Sequence, residues 1–435
     1  MNLSDLSTLP ITSPTISPDI EPPIDPAQSS QTTWNGRQIA IDTPLIDPEF
    51  FLQNVKPKPD SPSMTPPLDF LDGLMDPKYP FSANAVAAKN GNPTAQFLIG
   101  TVLEKKTPVD YDKAILLYDL AARAGIVSAQ RRRARLHRKG LGGPVNYPEA
   151  ARLYSLAAAQ GDANAHYSLG RMYERGLGVP RGFKEAVWHY TQAANHGLAY
   201  ALFRLAQLYD EGRDVPENKP LAMDLYTRAA EKEVVEAQVV LGRKYSLGDG
   251  VDRDFGKAAH YYQRAAVKKN PQAQYVLGKL YEKGLGVDKN DTAAALLFSY
   301  AADQKLACAQ NSLGEMLYTG RGVQENAPTA LHFYSLASQQ KHPGAQFNLA
   351  RMFQAGKWLK KNMAWSVYYY TLAARQGHQG SAVTLASMYE FGVDVTQDIE
   401  KAKEFYELGG VDTSFLDEKL YTLRPPAEET PNVDI

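Results

Sequence analysis

The sequence predicts an all-α fold of tandem helix pairs, an α-solenoid, on three observations. An alanine returns every 36 residues, at Ala129, Ala165, Ala201, Ala237, Ala273, Ala309 and Ala345, with Ser381 in the next slot. Leu-Gly or Leu-Ala follows four and five residues on, from Leu169-Gly170 to Leu385-Ala386. An aromatic stands eight residues on, as Tyr173, Tyr209, Tyr245, Tyr281, Phe353 and Tyr389. A fixed period of this size marks supersecondary units, none of which buries its apolar face alone. Such an array points to binding rather than catalysis.

In chain order, residues 1–80 come first, with 11 acids, 4 bases and 15 of the 28 prolines, a composition that predicts a disordered acidic arm. The remainder holds 37 acids and 43 bases, so the overall net charge of -1 conceals a mildly basic body. Two apolar islands interrupt the arm. One is Pro48–Leu52; the other, with Leu68, Phe70, Leu71, Leu74 and Met75, has the pattern of a short acidic docking helix. It either recruits a partner, folds back on the basic segment Arg131–Lys139, or caps the first unit. Ala87, Ala88 and Gly91 then read as the end of a partial unit.

The repeats are predicted over residues 81–418, with a flexible tail at 419–435. Within residues 163–198, Ala165, Leu169, Met172 and Tyr173 recur at helical steps, and Gly176 and Gly178 stop the helix. Val179 is apolar within the loop, as are Val215, Val251, Val287 and Val323, and is expected to plug the loop onto the core. A second helix holds Ala186, Tyr190, Ala193 and Ala194, and Gly197 ends it. Small residues at fixed places let helices approach closely while the aromatic fills the remaining space. The first unit has a shorter loop, and the eighth replaces the glycine-valine turn with GKWLKKNMAW, which leaves its turn geometry open.

The pattern A-x3-L-G-x2-Y-x2-G-x-G-V-x6-A-x3-Y-x2-AA-x2-G closely resembles the Sel-1-like repeat, a relative of the tetratricopeptide repeat. The resemblance covers roughly residues 81–410 in about nine units. It implies a right-handed superhelix and a non-enzymatic adaptor or scaffold that docks protein partners on its concave face. A Pro-rich arm ahead of the repeats is similar to the fungal chitin-synthase-activator type, a regulatory subunit of a membrane enzyme, although the C-terminal cysteine of that type is missing here. The endoplasmic-reticulum degradation adaptor of the family is disfavoured, because neither a secretory leader nor an apolar run of membrane-spanning length is visible.

No residue constellation points to chemistry. None of the eight histidines falls in a short-spaced metal motif, and His189, His260 and His332 read as surface or half-buried residues. The Gly-x-Gly-Val segments lie between helices, not after a strand, so they are turns and not dinucleotide sites. No Walker loop or G-x-S-x-G elbow occurs. No catalytic residue, cofactor or metal is therefore predicted, and an uncharacterised enzyme is the weaker alternative. The single cysteine, Cys308, reads as a small buried side chain and suits a reducing compartment. That favours a cytoplasmic protein, with a nuclear one as the other option.

The resemblance also places residues two, six and nine past each repeat alanine on the concave groove. There the second position supplies Tyr167, Phe203, Tyr275 and Phe347, and the sixth supplies Arg135, Arg171, Arg243, Lys279 and Arg351. Aromatic faces beside a ladder of positive charge suit a partner with acidic segments; equally, such a ladder is an ordinary solvated face. The second unit departs most, reading Arg131, Arg132, Arg133 and Arg135, with Arg133 where other units place leucine. A buried arginine needs a partner, so Arg133 is paired, its helix is shifted, or the site is open. The cluster also fits a nuclear-import signal or an acidic-partner patch. Nucleic acid is not expected, since aromatics are not interleaved with these charges. Oligomeric state cannot be read from the pattern.

Overall fold

The computed structural model describes residues 68–106, 109–213 and 215–416. The described chain is all-α, with helix pairs in tandem and no strand among these residues. It divides into two compact units, one ending at Ala237 and the other beginning at Gln238. In both, the extensive packing is between helices adjacent in sequence, as expected when contacts come from stacking nearest neighbours.

The first unit opens on a short 3-10 helix, Asp69–Leu74, then the helix Ser82–Lys89. Repeats one to four follow as pairs: Pro93–Lys105 with Tyr111–Arg123, Val127–Lys139 with Tyr147–Ala158, Ala163–Arg175 with Phe183–Asn195, and Ala199–Glu211 with Lys219–Glu231. Repeat five pairs Val235–Leu247 with Phe255–Val267, and the division between units falls in its first helix. The second unit continues with Pro271–Lys283 and Asp291–Asp303, Ala307–Thr319 and Ala327–Gln339, Pro343–Ala355 and Met363–Arg375, and Gln379–Phe391 and Ile399–Leu408.

The caps explain where these helices begin and end. Except in repeat three, where Gly182 holds the position without a side-chain cap, second helices start at Asn or Asp whose side chain accepts the N–H three residues on, as in Asn146 to Glu149 (3.1 Å) and Asp254 to Lys257 (2.9 Å). Each such cap contributes about 1 kcal/mol. From repeat two onward first helices end at a left-handed glycine, for example Gly176 with φ 67° and Gly284 with φ 67°, whereas that of repeat one ends at extended Lys106. Helix and turn are then tied by one recurring bond, from the N–H that opens the second helix to the carbonyl eight past the repeat alanine. Gly182 to Tyr173 (3.0 Å) and Asn290 to Tyr281 (3.0 Å) are examples. The eighth repeat keeps all three devices: Gly356 has φ 62°, Asn362 caps Trp365 (3.1 Å), and Asn362 N–H donates to Phe353 O at 3.0 Å. Its altered sequence changes the turn at one point: Trp358 stands where Gly178, Gly250, Gly286 and Gly322 have positive φ, and does not share that conformation.

The repeat alanine is buried because the paired helices meet there; Ala129, Ala165, Ala201, Ala273, Ala309 and Ala345 are each 0% exposed. The glycine of Leu-Gly faces the second-helix aromatic, and a Cβ on Gly170 would lie 2.7 Å from the Tyr190 ring. Val179 is half-buried against the core, as the plug reading requires. The eight-past tyrosines are more exposed than the second-helix ones: Tyr173, Tyr245 and Tyr281 are half-buried, whereas Tyr118, Tyr154 and Tyr190 are fully buried.

The island Leu68–Met75 falls on the first unit as a cap. Leu71 is fully buried in one cluster with Ala85, Ile99 and Tyr118, and Leu68, Phe70, Leu74 and Met75 pack against it. Lys89 holds Asp72 at 2.5 Å, and the Lys113 ammonium lies 5.7 Å from the Phe70 ring centre. This corrects the docking-helix reading and the boundary at residue 80, because apolar side chains already covering Ile99 and Tyr118 offer little to a partner. The island Pro48–Leu52 and the tail 419–435 lie outside the described residues.

Candidate partner-binding site

The first helices of successive repeats set the expected site residues at one register. The two-past aromatics do not form an open face. Tyr167, Phe203 and Tyr275 are 3%, 0% and 9% exposed, so their area is spent within the repeat. Each packs obliquely on the second-helix aromatic, with ring centres 5.5 Å apart for Tyr167–Tyr190 and 5.6 Å for Tyr275–Phe298. Phe347 is half-buried, packed on Tyr370 at 5.8 Å and His378 at 4.8 Å. Tilted aromatic packing of this kind adds about 1 kcal/mol to plain burial. The aromatic half of the predicted groove is therefore core at three of these four positions.

At Arg135 and Lys279 the positive ladder is answered by carboxylates nine past the repeat alanine, a position that sequence reasoning placed on the groove without assigning a role. In repeat one Tyr118 Oη donates to Glu104 at 2.7 Å, and Arg132 and Arg135 of the next repeat close on the same carboxylate. In repeat three Tyr190 Oη donates to Glu174 at 2.7 Å, with Arg204 on the other oxygen. Burial opposes ionisation of Glu174, but Arg204 and the Tyr190 hydroxyl outweigh it and hold its pKa below the ordinary value. Tyr226 reaches Asp210 (3.5 Å), Tyr370 donates to Gln354 (2.9 Å) and Tyr406 to Glu390 (2.8 Å). In repeat six, Glu282 is held by Lys279 and Arg321.

The basic helix Val127–Lys139 is accordingly an internal ion-pair element. Arg131 pairs with Asp162 (3.1 Å), Arg132 with Glu104 (3.4 Å) and Arg133 with Asp119 (2.6 Å). Arg133 is thus paired, the first of the three expectations for it. The readings of this stretch as an import signal or an acidic-partner patch lose their basis, since four of its arginines already face carboxylates. Of the remaining expected residues, Arg171 and Arg243 are half-buried, while Arg351 is exposed with its guanidinium 5.6 Å from the Phe347 ring centre.

One further slot escaped the sequence reading. One past the repeat alanine, a buried glutamine reaches back to the previous repeat: Gln96 Nε2 donates to Ala88 O (3.2 Å), Gln130 to Ala122 O (3.3 Å) and Gln274 to Ala266 O (3.2 Å). Its recurrence every 36 residues was a legible signal. In repeat three His166 takes this slot, and its Nδ1 lies 3.1 Å from His189 Nδ1. His189 is therefore buried, not superficial as its sequence position suggested; His260 and His332 are exposed. Burial and then His196 push His166 down to about 4, and burial with His166 pushes His189 down as well. Cys308 is half-buried and burial pushes its thiol up, the inert side of cysteine chemistry.

Comparison with known proteins agrees with this geometry. The Sel1 repeat matches nine stretches, residues 93–126, 127–162, 163–198, 199–234, 235–266, 271–306, 309–342, 343–378 and 382–409. A solved protective antigen present in uropathogenic Escherichia coli strains is similar at 25% identity and TM-score 0.54, over 77% of this chain and 80% of that one. A Sel1 repeat protein from Oxalobacter formigenes is similar in fold at 24% identity and TM-score 0.54, over 76% of this chain and 95% of that one. No curated protein sequence matches the chain. Sel1 repeat proteins act generally as protein-interaction scaffolds. No helix among the described residues is long and apolar enough to cross a membrane.

Proposed function

We propose a function from the premise that this chain belongs to the Sel1 repeat family: it is a non-enzymatic adaptor that docks a protein partner along its first helices. One observation carries the reading. The buried slots keep their residue types from repeat to repeat, whereas the slot six past the repeat alanine changes in charge and exposure. It runs from half-buried Arg171 and Gln207 to half-buried Lys279, then to exposed Glu315 and Arg351. Fixed packing with a varied surface is what sequence-specific recognition by a repeat array requires. A cytoplasmic setting belongs to the same proposal and rests on the single cysteine.

The test is site-specific photo-crosslinking of the full chain in extract of its source cells, with the probe at position 315 or 351. Position 300, on a second helix and 49% exposed, is the control. One partner crosslinked from 315 and 351 but not from 300 is the expected result. Equal yield from all three positions defeats first-helix docking, and no crosslinked protein from any of them defeats the adaptor reading itself.

A further inference from the structure

The altered stretch GKWLKKNMAW of repeat eight keeps the helix caps, yet it carries two tryptophans that the caps do not require. The described residues hold three tryptophans, and the two exposed ones both lie in this repeat. Trp358 is 51% exposed at the slot of Gly178, Gly250 and Gly286. Trp365 is 48% exposed where repeats three, five and nine carry Glu185, Lys257 and Lys401. Repeats with glycine or a charged side chain at these slots pack without an indole.

Both rings belong to one edge, because Trp365 lies in the first turn of the helix Met363–Arg375 that the loop feeds. Its backbone N–H donates to Asn362 Oδ1 at 3.1 Å. Trp365 stacks on Tyr369 with ring centres 5.8 Å apart and meets Tyr368 edge-on at 5.5 Å. Tyr368 is itself half exposed, and the helix carries no charged residue before Arg375. Positive charge sits beside this aromatic face, in the loop. Lys357, Lys360 and Lys361 are exposed, and the Lys357 ammonium lies 5.0 Å from the Trp358 ring centre. Glu325 faces Lys357 at 3.7 Å and Asp394 faces Lys361 at 2.7 Å, exposed pairs of the kind that contribute little. Three ammonium groups against two carboxylates leave the edge positive.

We propose that this edge of repeat eight, with Trp358, Trp365, Tyr368 and the three lysines, rests on an anionic phospholipid surface. Each ring projects half exposed, which suits a soft planar surface more than a complementary cleft. Tryptophan and tyrosine collect at headgroup level, where an apolar ring body and a polar tip are both satisfied. Lysine stems lie along apolar surface while their ammonium groups reach the lipid phosphates, and a negatively charged leaflet attracts them. Contact through one edge needs no membrane-spanning helix. The inference goes beyond the adaptor reading, since a scaffold resting on lipid would hold its partner at that surface.

The test is co-sedimentation of the full chain with vesicles of phosphatidylcholine alone and of equimolar phosphatidylcholine and phosphatidylserine. Binding to the mixed vesicles is expected, at least about tenfold tighter than to phosphatidylcholine and weakening as salt is raised. Trp358→Ser, Trp365→Ser and Lys360→Glu should each weaken it several-fold, and Trp358→Ser and Lys360→Glu should melt with the parent. Trp365→Ser also removes packing on Tyr369, so if it melts lower the other two judge the site. Tyr300→Ser changes an equally exposed aromatic in repeat six and should leave binding as it was. No sedimentation with the mixed vesicles, or binding unchanged in both Trp358→Ser and Lys360→Glu, overturns the proposal. Soluble polyglutamate bound as tightly as the mixed vesicles, with the same sensitivity to the variants, overturns it in favour of an acidic protein segment. No protein partner enters the assay, so its failure leaves the adaptor reading standing, and failure to crosslink a partner leaves the vesicles to judge this edge.

Discussion

Glycine is required at position 178 for two separate reasons. Its φ is 69°, and a Cβ there would lie 2.3 Å from the carbonyl carbon of Tyr147 in the preceding repeat. Backbone cannot swing aside, so Gly178→Ala is expected to cost more than about 2 kcal/mol, combining left-handed strain with overpacking. Gly170→Ala meets only the Tyr190 ring, which can shift. Repeat four already carries Ala206 at the same place. Its cost should be smaller, about 1 kcal/mol. Urea unfolding of the two variants checks the order, and a larger loss for Gly170→Ala would refute the packing argument. The converse holds at Lys305, a non-glycine residue at φ 66° where Gly125, Gly161, Gly197 and Gly377 stand in other repeats, and where Glu233, Lys269 and Lys341 share its left-handed conformation. Lys305→Gly should gain up to about 1 kcal/mol from relief of that strain, offset in part by the freer unfolded chain.

An element is stabilised here by charges handed from one repeat to the next. The helix Val127–Lys139 has few apolar residues, and Arg132 and Arg135 both end on Glu104 of the preceding repeat, whose side chain is only 8% exposed. Removing that carboxylate strands two half-buried cations and the Tyr118 hydroxyl together. Glu104→Ala is therefore expected to lower stability by roughly 3 kcal/mol, the range for breaking a buried pair. The same change at exposed Glu217, whose partner Lys219 is also exposed, should cost under about 1 kcal/mol. Hydrogen exchange should show the Glu104→Ala loss as faster opening over residues 127–139. Unchanged protection there would mean that helix packing, and not the ion pairs, sets the stability of the element.

On the scale of the whole molecule, pH acts unevenly, because the buried histidine pair lies in the unit ending at Ala237. The fold keeps His166 neutral down to about 4 against an ordinary 6.5, so the unfolded chain takes up the proton first as pH falls. The contribution is fully present above pH 6.5 and is lost between there and about 4. By pH 5 it amounts to about 2 kcal/mol for His166 alone, with His189 shifted in the same direction. Glu174, whose folded pKa is lowered, adds a loss that begins only below its ordinary 4.5. Acidification from pH 8 to 5 should thus raise exchange first over residues 163–196. His166→Gln places there the residue that other repeats use at this slot and should flatten the pH dependence. A parent protein whose stability is flat between pH 8 and 5 would exclude this account.

Much of the molecule was legible from one dimension. The period of 36 fixes helix pairs because alanine, Leu-Gly and the second-helix aromatic recur only where two helices meet at the same distance. The caps were written in Asn, Asp and Gly, whose conformational preferences are local. What an exposed-looking slot does was not legible. Tyr167 and Phe203 turn inward, and Arg133 finds Asp119, because which side of a helix is covered depends on the neighbouring repeat. Leu71 becomes a cap because the first repeat has an uncovered flank, a fact about packing and not about composition. Local chemistry set each helix and its ends; the tertiary structure alone decided which charges meet and which side chains remain for a partner, because burial and Coulomb interaction depend on distance in space and not along the chain.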